Sequence, residues 1–478
     1  MELATETSVR IESAGLDFWM AAVLREADRA RADIVPDVVH DLRVALRRCR
    51  SIADGYMTFD PHPAWEQMKD ESRRLFRQLG SLRDTQVMRE WVRRLARSTD
   101  EAAVIMNNHL SNQEIQFKQS ALEAVSDFNQ RKWTSWIRLL SRRTRYIPVE
   151  SMAFQHIALE RWFDAYELHQ HAMRNRSQVA YHRLRIGLKK FRYTVENFLP
   201  SRHARWGADL RGLQDLLGEM HDLDVLWRTA VATKALRNAE ARLEWRRRIS
   251  EEIDQRLEQY REKMLGKESL ARIWRSELPD PRQIGIAALA RLRAWASFRD
   301  TDVAHSDLVA KLALHIYDGL DSFALMPESG MDARRILEAA ALLHDVGMNE
   351  GRKRHHLSSY RMIRRLDPPL GWSSEALRKV ALIARFHRGA LPRFEQKAFS
   401  GIPGEQKKSL IMLCGILRLA NAFDALHQRR IRRLELKQTG NILHIAAPGY
   451  SENDRLAEKL AEARHLLETA CRLPILIE

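Results

Sequence analysis

Apolar residues recur every three to four positions over most of the first 275 residues, the spacing that places them on one face of an α-helix. Residues 12–32 form one such segment, with Leu16, Trp19 and Val23 among its apolar positions. The pattern predicts a mainly all-α protein. It also predicts helix breaks near residues 98–100, 147–148 and 199–200.

A change of pattern divides the chain. Leu278-Pro279-Asp280-Pro281 combines two prolines and a charge, which stops a helix and predicts a boundary. Near the C-terminus, alternating residues around Lys437–Gly440 predict a β-hairpin, followed by a helix over 453–470 and a short strand at 473–477. The predicted organisation is a domain at 1–278, a linker at 279–284, a second helical domain at 285–430 and a small α/β tail at 431–478.

Two segments of the first domain repeat in the same order. Residues 40–50 match residues 182–192, and residues 79–87 match residues 217–225. On a helix, positions 40, 43, 47 and 50 fall within an arc of about 80°. Each copy therefore predicts a helix with one stripe of histidine and basic side chains and apolar residues on the other side.

The repetition of the basic stripe argues for a ligand. One arginine-rich helix is usually a solvated face. Like charges one turn apart nevertheless repel by a few tenths of a kcal/mol, and both copies keep them at the same steps. A bound polyanion is the simplest compensation for that repulsion.

This repeated motif resembles the CHAD domain, the conserved histidine α-helical domain. The resemblance covers about residues 10–275 and implies two pseudo-symmetric helical bundles around a basic cleft that binds inorganic polyphosphate. Position 221 is histidine where the first copy has Arg83. The implied polyphosphate contacts are His40, Arg43, Arg47, Arg50, Arg73, Arg83, His182, Arg185, Lys189, Arg192 and Arg211.

Composition agrees with an anionic partner. The net charge is +16 and three cysteines lie far apart, which fits a reducing cytoplasm. The N-terminus does not read as a signal peptide, and the longest apolar run, 410–417, is too short to span a membrane. We therefore expect a cytoplasmic protein, at polyphosphate granules if it is a scaffold, without a membrane partner. Nucleic acid is the weakest partner, because the stripes lack interleaved stacking aromatics.

A second candidate site follows the apolar run Ala339–Leu343. His344 and Asp345 end this run, where a polar pair is costly unless it is hydrogen-bonded or binds a metal. Imidazole and carboxylate together suit divalent metals. The alternative is that these histidines are simply packed and hydrogen-bonded.

The order of the motifs over about 300–430 resembles the HD phosphohydrolase superfamily, and most of all the C-terminal region of exopolyphosphatase/guanosine pentaphosphate phosphohydrolases. The resemblance implies a divalent metal (Mn, Mg, Fe or Zn) and a phosphorylated substrate. Asn421 stands where the superfamily has aspartate, and Asp424, one turn later, is the alternative ligand. The implied metal ligands are His305, His344, Asp345 and Asn421 or Asp424. The implied catalytic residues are His344, Asp345, His356 and His387, with Lys353, Arg388 and Arg393 as candidate phosphate-binding residues.

Three functions are compatible with these patterns. The first is a metal-dependent phosphohydrolase that acts on polyphosphate or a phosphorylated nucleotide. The second is a non-catalytic polyphosphate-binding scaffold, and the third is a nucleic-acid binder.

Overall fold

The computed structural model describes residues 15–327, 331–451 and 455–478. In these residues the chain forms 17 α-helices and one small three-stranded sheet, which confirms the mainly all-α fold class. It divides into two compact units between Asp280 and Pro281. The predicted helical residues 12–14 and 453–454 lie outside the described residues.

The first unit is built from helices alone within the part of it that is described. The predicted breaks near residues 98–100, 147–148 and 199–200 all fall between helices, where prolines or capping residues interrupt the backbone hydrogen bonds. The helices are α1 (Leu16–Ala32), α2 (Pro36–Tyr56), α3 (Ala64–Leu95), α4 (Glu101–Ser126), α5 (Gln130–Arg143), α6 (Met152–Asn175), α7 (Gln178–Phe198), α8 (Pro200–Ala232), α9 (Ala239–Met264) and α10 (Leu270–Ser276).

The duplication extends beyond the two sequence motifs to helix lengths and caps. Helices α2 and α7 each have 21 residues, and α4 and α9 each have 26. Asp100 caps α4 by accepting a hydrogen bond from the backbone of Ala103, and Asn238 caps α9 through Ala241 in the same way. A unit of four helices, α1–α4, is therefore repeated as α6–α9.

Equivalent helices of the two halves pack against each other. Helix α2 contacts α7, and α3 contacts α8. At the first contact Arg48 forms an ion pair with Glu196, whose side chain is 1% exposed. Arg48 also stacks on Trp19, 5.0 Å from its ring centroid. The basic residue beside the first stripe thus joins the two halves.

The second unit has one hydrophobic core that helices and sheet share. Leu443 and Ile445 of the sheet and Leu460 of the last helix are buried in it. The C-terminal segment therefore belongs to the same core and is no separate tail. Its helices are α11 (Pro281–Ser297), α12 (Val303–Ser322), α13 (Met331–Leu343), α14 (His355–Arg364), α15 (Ser374–Arg385), α16 (Gly404–Ala422) and α17 (Arg455–Cys471).

The sheet consists of β1 (Glu435–Thr439), β2 (Ile442–Ala446) and β3 (Ile475–Ile477). Strands β1 and β2 form the antiparallel hairpin expected from the sequence, and β3 pairs parallel with β2. The expected linker at 279–284 is shorter in the structure. Pro281 begins α11, because proline is tolerated in the first turn of a helix, where its missing N–H has no partner to lose.

None of the helices in the described ranges is both long enough and apolar enough to cross a bilayer.

Candidate functional site

The stripe of α2 is held in place by an aromatic ring and a glycine of α3. The guanidinium of Arg43 lies 4.4 Å from the ring centroid of Phe76, and that of Arg50 lies 5.1 Å from the same ring. A Cβ atom at Gly80 would stand 2.9 Å from Nη1 of Arg43. The glycine of the repeated Leu-Gly motif therefore leaves the space that the arginine occupies.

The two stripes come together at Lys189 of α7. Burial, and after it the positive charges of Arg47, Arg185, Arg50 and Arg43, together lower the pKa of Lys189 to about 8. Three of these four arginines belong to the first copy of the repeat. The structure thus merges the two stripes into one cationic surface.

Two carboxylates lie within this surface at equivalent positions. Loss of hydration raises the pKa of Asp222 to about 6, with opposing charge from Arg185 and Arg83 and repulsion from Asp84. The pKa of Asp84 is raised by the same loss of hydration, although Arg43 and Arg185 oppose it. Each acidic group is therefore influenced by arginines of both halves.

The histidines at the start of each stripe face equivalent partners. Burial lowers the pKa of His40, and Arg83 lowers it further. In the second half the rings of His182 and His221 lie 5.1 Å apart. His221 thus takes the place that Arg83 has beside His40, and the substitution keeps the pairing while reducing the charge.

The remaining predicted contacts lie around this centre. Arg73 is bonded to Asp70 at 2.6 Å, and Nη1 of Arg192 donates to Gln214 at 3.0 Å. Asp215 has a pKa raised by burial, which the charges of Arg192 and Arg211 oppose. The structure therefore places all eleven predicted residues on α2, α3, α7 and α8, the four helices through which the two halves pack against each other.

In the second unit, His344 lies at the end of the apolar helix α13 with no exposed surface. Its Nδ1 donates to the carbonyl oxygen of Ala341 at 2.6 Å. In the neutral ring, Nε2 therefore has no proton and has a free lone pair. This buried Nε2 has no hydrogen-bond partner among the described residues. It lies 3.5 Å from Oδ1 of Asp345.

Two further histidines direct their Nε2 atoms at the same carboxylate. Nε2 of His355 lies 3.0 Å from Oδ1 of Asp345, and Nε2 of His387 lies 3.7 Å from it. Both rings donate from Nδ1 to the carbonyl three residues before them, at 2.8 and 2.7 Å. Their two Nε2 atoms are 3.1 Å apart and neither carries a proton in the neutral ring.

His305 completes a second group around Asp345. Its Nδ1 donates to Asp424 at 2.8 Å, and its Nε2 lies 3.0 Å from Oδ1 of Asn421. The other oxygen of Asp424 accepts a hydrogen bond from the backbone of Arg429 at 2.7 Å. Through the hydrogen bond from Nδ1, Asp424 orients the ring of His305, as carboxylates often do for metal-binding histidines. Asn421 and Asp424 both stay candidate ligands, since His305, Asp424 and His427 also form a possible metal-binding group.

Local packing brings His355 to Asp345, and the neighbouring His356, which the sequence predicted as catalytic, lies farther out. A Cβ at Gly347 would approach the backbone oxygen of His355 to 2.6 Å and the backbone nitrogen of Ser359 to 2.5 Å. This close approach brings the start of α14 onto Asp345. His356 instead packs beside Gly389, at the edge of the cluster.

These groups fit a divalent cation. His305, His344 and Asp345 form one possible metal-binding group, and Asp345, His355 and His387 form another that shares the carboxylate. Burial lowers the pKa of His344 and His387, which keeps both rings neutral and able to bind metal. Several buried lone pairs that converge on one carboxylate without donors are costly unless a cation or proton lies between them.

A cavity of about 460 Å³ opens beside the cluster. Of the three candidate phosphate-binding residues, Arg388 lines this cavity, and Lys353 and Arg393 are not among its lining residues. Arg418 of α16 and Lys459 of α17 are there instead. Nothing in the local sequence distinguishes these two cations, since only the packing of α17 on α16 brings them together.

Comparison with known proteins gives one family match in each of the two units. Residues 15–231 match the CHAD domain, and residues 292–469 match "Ppx/GppA phosphatase, domain III". Among solved structures, the CHAD domain from the plant Ricinus communis is 19% identical, with a TM-score of 0.39, and covers 52% of this chain and 91% of its own. A search of curated proteins finds no match.

The chain therefore combines a CHAD domain with a Ppx/GppA phosphatase domain III, as the motifs indicated. Together these two domains support a polyphosphate-related function.

Proposed function

We propose that the first unit binds inorganic polyphosphate in one site that both stripes form. The observation that carries the proposal is the position of Lys189, whose charge is disfavoured by burial and then by Arg47, Arg50 and Arg43 of the other half. Such repulsion is relieved when a polyanion lies between the stripes. Because the contacts are between charges, we expect the affinity to fall steeply with salt.

We further propose that the second unit is a metal-dependent phosphohydrolase. His305, His344 and Asp345, with Asn421, would hold one divalent cation, and His355 and His387 would share Asp345 with a second. A divalent cation acts as a Lewis acid and lowers the pKa of water, which suits hydrolysis of a phosphate ester or anhydride. Arg388, Arg418 and Lys459 would bind the phosphate groups of a substrate in the adjoining cavity.

The test of the second proposal measures metal content and phosphate release side by side. The substrates are polyphosphate and guanosine polyphosphates, and the variant is Asp345→Ala. We expect the wild type to contain metal and release phosphate, and the variant to lose both while it still binds polyphosphate. If the wild type binds polyphosphate but neither holds metal nor releases phosphate, the second unit is a scaffold.

A further inference from the structure

A cavity of about 490 Å³ lies beside the meeting point of the stripes, within the first unit. Residues of both halves line it. Its lining holds one carboxylate in the described part of the chain, Asp54, which pairs with Lys69 at 2.7 Å. The cationic residues of the lining are Arg47, Arg50, Lys69, Arg161, Lys189 and Lys190. Three of these, Lys69, Arg161 and Lys190, lie outside the stripes.

Two buried donors at this cavity have no acceptor. Tyr193 is 8% exposed, and its hydroxyl lacks a hydrogen-bond partner among the described residues. Nε of Arg50 is also buried without a partner. A buried hydroxyl without a partner costs about 1–3 kcal/mol. Both donors therefore suit a ligand that supplies oxygen acceptors.

The aromatic rings at the cavity are engaged by cations. Arg43 and Arg50 lie over Phe76, and Lys189 lies 5.8 Å from the ring centroid of Tyr193. Rings used in this way support the cations and offer little free face for stacking a base. The lining therefore favours a phosphate group over a nucleobase.

The equivalent place in the other half is filled by the protein's own carboxylate. Arg48, Arg192 and Glu196 correspond to Lys190, Arg50 and Asp54 by the same offset of 142 positions (40 to 182). Glu196 is buried and pairs with Arg48, and it lies 3.7 Å from Arg192. Asp54 instead is 58% exposed and turns to Lys69. One half thus contains an internal anion, and the other leaves cations around an open cavity.

We propose that this cavity binds the terminal phosphate of a linear phosphate chain whose other units lie on the stripes. The inference rests on the proposed polyphosphate binding. A terminal phosphate has a second ionisable oxygen and carries about −1.5 to −2 charge at pH 7, as a phosphomonoester does. It is also linked on one side only, so it fits a cavity beside the stripes. Tyr193 donates its hydroxyl to a phosphate oxygen.

The test compares linear tripolyphosphate with cyclic trimetaphosphate, which has no chain end. Binding of each to the full chain is measured by calorimetry for the wild type and Tyr193→Phe. We expect Tyr193→Phe to weaken tripolyphosphate about tenfold, the usual scale of a hydrogen bond to a charged group, and to leave trimetaphosphate unchanged. The matched control is Tyr166→Phe on α6, whose ring stacks on Trp162. It should change neither ligand.

A second variant and a third ligand complete the test. Lys190→Gln should also weaken tripolyphosphate more than trimetaphosphate. Orthophosphate should bind far more weakly than tripolyphosphate, because it has no further phosphate units to contact the rest of the stripes. Equal losses for the linear and cyclic ligands, no loss for either, or orthophosphate binding as tight as tripolyphosphate would each overturn the inference. If long-chain polyphosphate does not bind the wild type at low salt, the proposed function itself fails.

Discussion

At both sites, the hydrogen bonds and charges around single residues determine which of their atoms are available to bind a ligand. At the metal cluster, hydrogen bonds from Nδ1 to backbone carbonyls fix the tautomers of three histidines. At the stripes, burial and then the neighbouring cations lower the pKa of Lys189. Such effects follow from contacts between distant parts of the chain, so a sequence motif can name the residue type without giving its state.

The pKa of Lys189 predicts a pH dependence for both binding and stability. The folded protein releases this proton near pH 8 and the unfolded chain near 10.5. Between these values the unfolded state holds more protons, so the contribution of Lys189 to the free energy of unfolding rises with pH. A bound polyanion favours the charged lysine, so affinity for polyphosphate should fall as pH rises through 8. Titrations at pH 7 and 9 measure this, and Lys189→Arg should remove most of the fall.

Asn421 and Asp424 should respond in opposite ways to exchange of amide and carboxylate. We expect Asn421→Asp to tighten metal binding, because it adds a charge at the ligand position. Asp424→Asn should weaken it by about 10–100-fold, the usual effect of losing the group that orients a histidine ligand. Metal titration of both variants checks this. If Asn421→Asp has no effect and Asp424→Asn removes the metal, Asp424 is the ligand.

At the scale of helices and loops, much could be predicted from the sequence. The helical pattern predicted the two basic stripes, because apolar and basic residues repeat at a helical period. It did not distinguish His355 from His356, which are neighbours about 100° apart on one turn. The contact of Gly347 with the start of α14 decides between them, and that contact depends on a loop whose path has no periodic pattern.

His355 and His356 form a matched pair for testing the cluster. We expect His355→Gln to lower metal content and any phosphate release, since its Nε2 lies 3.0 Å from Asp345. His356→Gln should leave the metal in place. Metal analysis of both purified variants provides the comparison. Loss of metal only in His356→Gln would show that α14 is rotated from the position described.

The two glycines of the repeated Leu-Gly motif form a second pair. Gly218→Ala places a Cβ with nothing within 4 Å, so it should raise the free energy of unfolding by up to about 1 kcal/mol and leave binding unchanged. Gly80→Ala should displace Arg43 and weaken polyphosphate binding. Denaturant titration and calorimetry measure both effects. Equal binding by the two variants would mean that Arg43 is no contact.

At the scale of the whole chain, order and spacing of motifs were sufficient to identify both domains. The repeated stripes predicted a duplicated first unit, and equal helix lengths in the structure extend the repeat to four helices. The cations Arg418 and Lys459 at the cavity of the second unit could not be predicted, because they meet only when α17 packs on α16. The role of Arg48 was equally hidden, since its partner Glu196 belongs to the other half.

The central claim is that the two halves form one polyanion site, and its most direct test is the stoichiometry and length dependence of binding. Calorimetry with long and short polyphosphate is performed on the wild type, Arg47→Glu and Lys189→Glu, with Lys234→Glu, at the turn after α8, as a control away from the stripes. We expect one site per chain, tighter binding of the longer polymer, and a comparable loss of affinity in both stripe variants. Two independent sites that are insensitive to polymer length, each affected by only one of the stripe variants, would contradict the account.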